Sequence, residues 1–167
     1  MRKTYYLLMA LSAVMLLEGC IKGTDYEEQE QKTIQEFLQR NNITTPPTES
    51  GLYYLVKTEG EGLQPADSDT VSINYIASYI NGIVFDTNIE EEAKKNGLYS
   101  PVNEYVPLVF VKGAGDVIQG VDEGVGYMKK GGEAILIIPS RLAYNDYTPL
   151  VFYIELVEVK HDTTAAH

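Results

Sequence analysis

From Val71 to Tyr79 the chain alternates. Val71, Ile73, Tyr75, Ala77 and Tyr79 are separated by residues that include Ser72, Asn74 and Ser78. A period of two places the first set on one face of a strand and the second on the other. Asn81-Gly82 follows directly and predicts a two-residue hairpin turn, after which Ile83 to Phe85 returns as the partner strand. Strands joined so tightly must be antiparallel, because a parallel pair needs a crossover of a dozen or more residues. The sheet therefore has one apolar face that something else must cover.

The remaining segments supply that cover and more sheet. Leu52 to Thr58 reads as a strand rich in Tyr, Leu and Val, broken by Gly60-Glu61-Gly62 and Pro65. Residues 88–106 interrupt the strands. Within them, residues 89–97 predict a short charged helix closed by Gly97, with Glu91 and Lys95 as an i,i+4 pair. Leu108 to Val111 is strand again. Ile118 to Met128 carries Gly120, Gly124 and Gly126, so a helix there is short. Residues 133–139 hold Ala-Ile-Leu-Ile-Ile, a strand buried on both faces, and Leu150 to Val159 alternates once more. Strands in series around one short helix predict an α+β fold.

The N-terminus is of a different kind. Arg2 and Lys3 precede an apolar run from Tyr5 to Leu17, followed by Gly19 and Cys20, the pattern of a secretory signal. The run is short for a membrane span. Cys20 is the only cysteine, which excludes an intrachain disulfide. Leu17-Glu18-Gly19-Cys20 resembles the lipobox of bacterial lipoproteins, with Glu18 its one departure. That resemblance implies cleavage before Cys20, lipidation of its thiol, and a lipid anchor in the cell envelope, with the outer membrane the expected site.

Thr24 to Glu27 reads as a capping box opening a helix over residues 25–40, with Ile34, Phe37 and Leu38 on one face. The expectation is a spacer helix that lays one stripe on the domain; dimerisation through it is the less favoured use. Pro46 and Pro47 make Thr44 to Thr48 an extended linker, since each biases its predecessor away from helix. The expected organisation is a signal over 1–19, a tether and helix over 20–50, one domain over 51–160, and a disordered tail over 161–167. His161 and His167 stand isolated near the end and carry no expected role.

The formal charge is −11, without a basic run, and nucleic acid as partner is excluded because phosphate binding needs a basic face. No metal ligand set or cofactor motif is present in the sequence.

Several motifs then fall in order. They are Val71-Ser-Ile-Asn-Tyr75, Asn81-Gly82-x-x-Phe85-Asp86, Pro107-Leu-Val-Phe-Val-x-Gly113, Val117-Ile118-Gln-Gly120 and Glu123-Gly124-Val-x-x-Met128. Gly132-x-Ala134-x-Leu136-x-Ile138-Pro139, Leu142-Ala143-Tyr144 and Leu150-Val-Phe152-x-Ile154-Glu155-Leu156 complete them. Together, over about residues 51–160, they resemble the FKBP-type peptidyl-prolyl cis-trans isomerases. The resemblance implies a twisted antiparallel sheet wrapped around one short helix, with an N-terminal helix before it. It implies an aromatic-lined site between helix and sheet that needs no cofactor or metal and acts on X-Pro bonds of unfolded envelope proteins or proline-containing peptides.

The same resemblance implies the roles of single residues. Tyr75, Phe85 and Phe152 would wall the pocket, and Asp86 would orient a tyrosine hydroxyl. The Ile118 N–H and the Tyr144 hydroxyl would donate to the bound peptide. Leu108, Val117 and Val121 would complete the substrate-binding surface. Four features depart from the family pattern. Val121 stands where an aromatic is usual and Leu108 where Phe is common. The loop after Tyr144 is short, and residues 88–106 are an insertion beside the site. A weakly catalytic peptide- or protein-binding module is the alternative these departures suggest. A third reading is a pocket filled by Tyr99 or Tyr105 of the insertion.

Overall fold

The computed structural model describes the backbone of residues 18–161 and the side chains of residues 25–161. Residues 1–17 of the expected signal, residues 162–167 of the expected tail and the Cys20 side chain lie outside what is described. The elements in chain order are α1 (Glu18–Arg40), β1 (Tyr53–Thr58), β2 (Thr70–Tyr79), β3 (Val84–Thr87) and α2 (Glu90–Lys95). β4 (Leu108–Val111), α3 (Gln119–Tyr127), β5 (Glu133–Ile138), a 3₁₀ turn (Ser140–Leu142) and β6 (Leu150–Lys160) follow. No described helix is long and apolar enough to cross a membrane.

All six strands form one antiparallel sheet in the order β1-β5-β6-β2-β3, with β4 also on β2. β2 is the hub. One edge pairs with β6 along its whole length, and the other is divided between β4 at residues 70–73 and β3 at residues 76–78. The insertion leaves through the gap between β3 and β4. Asn88 closes that gap. Its Oδ1 accepts the Tyr75 N–H at 2.8 Å, and its Nδ2 donates to the carbonyls of Ile73 (2.9 Å) and Val106 (3.0 Å). A side-chain amide thus does what a neighbouring strand's peptide would do.

The concave face holds the main core. Val71, Ile73 and Ala77 of β2, Leu136 and Ile138 of β5, and Phe152, Ile154 and Leu156 of β6 meet Val121 and Val125 of α3. Contact with α3 is close because Gly120 and Gly124 face β5. A Cβ at these positions would come within 2.5 Å of Ile138 and 2.4 Å of Leu136. α1 covers the convex face, where Ile34 and Leu38 pack on Tyr53 and Ile137. This explains the continuous apolar run in β5: alternate residues are buried on opposite faces, under α3 and under α1.

Four sequence expectations are corrected. Thr24 lies inside α1 and is not its cap, because the helix begins at Glu18. The carbonyls of the preceding turn then serve the amides that a Thr24 cap would have served. The hairpin loop has three residues, since Tyr79 and Ile83 form the closing pair (N···O 2.9 Å). Only Gly82, at φ +90°, has positive φ, whereas a two-residue type I′ turn requires it at Asn81 as well. Asn81 instead accepts the Ile83 N–H on its side chain. In α2 the ion pairs are Glu90–Lys94 at 2.6 Å and Glu92–Lys95 at 3.1 Å, not Glu91–Lys95. Gly97 does close that helix, with Leu98 N–H bonding the Ala93 carbonyl and Gly97 N–H that of Lys94. Finally, His161 is not isolated. β6 pairs Lys160 with Thr70, which sets His161 Nδ1 2.6 Å from Oδ2 of the buried Asp69.

Candidate functional site

A cavity of about 420 Å³ opens between the concave face of the sheet and the start of α3. β2 contributes Ile73 and Tyr75 on its alternating face, and β6 contributes Phe152 from the adjacent strand. The rings of Tyr75 and Phe152 lie 6.1 Å apart at 27°, an offset stack that forms one wall. Val121 is almost fully buried and forms part of the opposite wall. Leu108 of β4 and Tyr144 stand at the opening, 39% and 62% exposed.

The helix start is built for this place. Val117 and Ile118 line the cavity, and Ile118 caps α3 in an extended conformation (φ −60°, ψ 145°) without a side-chain cap. The Ile118 carbonyl accepts the amides of Val121 and Asp122. Its own N–H precedes the helix and has no acceptor among the described residues. Two carboxylates hold the approach loop. Asp116 accepts the Val111 N–H at 3.1 Å, and Asp122 accepts the Gly113 N–H at 2.9 Å.

On the other side, the Tyr75 hydroxyl donates to Asp86 Oδ2 at 2.8 Å. Burial, then the hydrogen bond to Asp86 and its negative charge, push the Tyr75 hydroxyl far above its ordinary value. Tyr75 therefore stays a neutral donor across any physiological pH. The Thr87 hydroxyl donates to the Tyr75 carbonyl at 2.6 Å. With the Asn88 contact to its N–H, both backbone polar groups of Tyr75 are held by side chains.

Eight of the nine pocket residues expected from sequence line this one cavity: Tyr75, Asp86, Leu108, Val117, Ile118 and Val121, with Tyr144 and Phe152. Phe85 does not. It is the extra residue of a β-bulge, for Ala77 pairs with Asp86 while Ser78 pairs with Val84. Its ring packs against the core of the concave face, beside the cavity, and lies 4.8 Å from that of Tyr79. Asp86 pairs with Ala77, which shares a face of β2 with Tyr75, and so reaches the Tyr75 hydroxyl. Three lining residues were not anticipated: Ile73, Gly115 and Asp116. Ile73 was legible, being two residues before Tyr75 on the same face. Gly115 and Asp116 lie in an irregular loop whose path no local pattern specifies.

The insertion neither lines nor fills the cavity. Tyr99 and Tyr105 stack on each other at 5.7 Å, with the Lys94 ammonium 5.0 Å from the Tyr99 ring. The Tyr105 hydroxyl accepts the Ser100 N–H. The short loop after Tyr144 turns toward α1, where Tyr147 stacks on Tyr26 at 5.4 Å.

An apolar hollow with aromatic walls, one unused backbone donor and one exposed phenol suits a compact apolar ring attached to a carbonyl. Comparison with known proteins agrees with that geometry. The family model described as FKBP-type peptidyl-prolyl cis-trans isomerase matches residues 62–157. The FKBP-type peptidyl-prolyl cis-trans isomerase FkpA of Escherichia coli is 34% identical over 147 residues, 83% of this chain and 46% of that protein. Its crystal structure superposes with a TM-score of 0.63 at 32% identity, over 82% of this chain and 62% of that one. The structure of a peptidyl-prolyl cis-trans isomerase from Pseudomonas syringae superposes with a TM-score of 0.58 at 26% identity, over 80% and 96% of the two chains. The chain spans about half the length of the curated relatives it matches. On sequence and on fold, it belongs to the FKBP-type peptidyl-prolyl cis-trans isomerase family.

Proposed function

We propose that the protein catalyses cis-trans isomerisation of X-Pro bonds in unfolded polypeptides of the cell envelope, held there by a lipid on Cys20. The observation that carries the reaction is the pairing of an apolar-walled hollow with two donors at its rim, the Ile118 N–H and the Tyr144 hydroxyl. The barrier to X-Pro rotation, about 18–20 kcal/mol, comes from amide resonance. Twisting the bond removes that resonance and with it much of the carbonyl's polarity. Water stabilises the planar, polar amide, so a wall of Tyr75, Phe152, Ile73 and Val121 favours the twisted one. The Ile118 N–H holds the backbone carbonyl on one side of the rotating bond. Tyr144 holds the next carbonyl, so that one half of the peptide is fixed while the other turns. Asp86 keeps the Tyr75 hydroxyl facing it, leaving the ring face to the proline. No group needs to gain or lose a proton.

The lipid anchor rests on the sequence around Cys20 and on the charged start with its apolar run. α1 then carries the chain from that anchor onto the convex face of the sheet. Packing of Ile34 and Leu38 against Tyr53 and Ile137 uses the helix's apolar stripe within one chain, which favours the spacer role over dimerisation.

The test is acceleration of cis-trans exchange in a prolyl tetrapeptide, followed by protease coupling or NMR exchange. Wild type should accelerate it. Tyr144→Phe should lower kcat/KM about three- to tenfold, the worth of one hydrogen bond. No acceleration at micromolar protein rules the catalytic reading out. It would leave a peptide-binding module, the reading that the open rim at Tyr144 and the small Val121 side chain favour.

A further inference from the structure

A second concavity, of about 580 Å³, lies at the end of the sheet where α1, the tip of the β2–β3 hairpin and the loop after Tyr144 meet. Tyr26 of α1, Tyr79 of the hairpin, and Tyr147 and Pro149 of the loop supply its apolar surface. Tyr26 and Tyr147 stack on each other yet remain 55% and 41% exposed. Rings that are rigid, partly wet and tipped with a hydroxyl suit capture of a side chain from another polypeptide.

The groove is held in shape. The Glu30 carboxylate, buried between α1 and the loop, accepts the Ser140 N–H at 2.5 Å and the Ser140 hydroxyl at 2.8 Å. The Asn145 N–H bonds the Ser140 carbonyl, and the Thr148 N–H bonds Asp146 Oδ1. Between them, Tyr147 sits at φ +62°. A bulky residue rarely adopts positive φ, and such residues gather at binding and catalytic sites. That backbone conformation sets the Tyr147 ring against Tyr26.

The groove and the isomerase cavity are lined by neighbouring stretches of the same strand and the same loop. Tyr75 of the cavity and Tyr79 of the groove share one face of β2, four residues apart, which a strand spans in about 13 Å. The Phe85 ring, packed on the concave core, bears on Tyr79 at 4.8 Å. On the opposite bank, Tyr144 lines the cavity and Tyr147, three residues later, lines the groove. An extended peptide with proline in the cavity would reach the groove with a residue about four positions away. Asp146 lines the groove and no Lys or Arg does, so the occupant is neutral or basic.

We propose that this groove is a second client subsite, which takes an aromatic or large apolar side chain about four residues from the proline of an unfolded polypeptide, with Lys or Arg tolerated beside it and acidic residues disfavoured. The claim rests on the isomerase reading and names the client segment that reading leaves open.

The experiment uses the full chain and a series of Ala-rich prolyl peptides carrying a single Phe at one to six positions on either side of proline. In wild type, kcat/KM should rise about three- to tenfold when Phe stands near the fourth position on one side, the worth of one aromatic contact. Tyr147→Gly removes the ring and accepts the positive φ without strain, and Tyr26→Ala removes its partner. Both should abolish the gain and leave turnover of a bare prolyl tetrapeptide within about twofold, as for surface changes generally. A flat profile across spacings, or a gain that survives both substitutions, overturns the groove. So does a concentration-dependent dimer that Tyr26→Ala dissolves, since a second copy would then be the occupant. If even wild type fails on the bare tetrapeptide, the isomerase reading is what falls. The same peptides then test the groove by affinity, read from NMR shifts: a spacing preference lost in Tyr147→Gly supports it, and its absence removes it.

Discussion

The Tyr75 hydroxyl and the Asp86 carboxylate, 2.8 Å apart, join two walls of the cavity across a β-bulge. The pairing holds only while the phenol keeps its proton. Burial and Asp86 raise the folded-state value of Tyr75 well above the unfolded one, near 10. Its contribution to stability is therefore complete below about pH 10 and is lost as pH rises from there toward the folded value. Asp86→Asn removes the negative charge beside the phenol and leaves burial, a neutral acceptor oxygen and the influence of Tyr144. In difference spectra at the phenolate band, the tyrosine that titrates last in wild type should titrate earlier in Asp86→Asn. An unchanged titration would mean that the charge of Asp86 plays no part in the shift.

Asn88 is positioned to matter more than its exposure suggests. Alanine there leaves the Tyr75 N–H and the Ile73 carbonyl without partners on a partly buried strand edge. Loss of about 2–4 kcal/mol of stability is expected, since each such group costs roughly 1–3 kcal/mol. Asn88→Asp should not rescue it. The aspartate still accepts from Tyr75, but it sets an oxygen against the carbonyls of Ile73 and Val106. Urea unfolding of the three proteins checks the order, and an Asp variant as stable as wild type contradicts it.

Glu30 is the buried polar contact between α1 and the loop that leads from Tyr144 to β6. Glu30→Ala strands the Ser140 N–H and hydroxyl and should cost about 2–3 kcal/mol. Glu30→Gln keeps one acceptor oxygen and should cost less. Hydrogen exchange should show the loss at residues 140–149 and along α1, with β2 and β6 unaffected. A uniform loss of protection would mean that α1 and the loop open only together with the whole domain.

Much of this molecule could be read locally. The alternation of Val71, Ile73, Tyr75 and Ala77 named both a strand and its buried face, because side-chain direction in a strand depends only on parity. Glycines at 120 and 124 signalled a short helix, and the structure adds their reason in the close approach to Ile138 and Leu136. The pocket residues were legible through motif resemblance, except where geometry intervened. Phe85 packs on the core beside the cavity without lining it, at a bulge between β2 and β3, and a bulge is a property of two strands paired, not of one.

Strand order, the split edge of β2 and the Asn88 plug belong to the same class. Each needs partners far apart in sequence, and no window of neighbouring residues contains both. The docking of α1 is the clearest case. Its stripe of Ile34, Phe37 and Leu38 announced that some apolar surface awaited it, through helical periodicity alone. That the surface is Tyr53 and Ile137 on the convex face, and that Glu30 and Tyr26 thereby meet Ser140 and Tyr147, follows from the twist and layering of the whole sheet. Local patterns specify which faces are apolar; only the folded chain specifies which faces touch, because contact is settled by the competition of all apolar surfaces for burial at once.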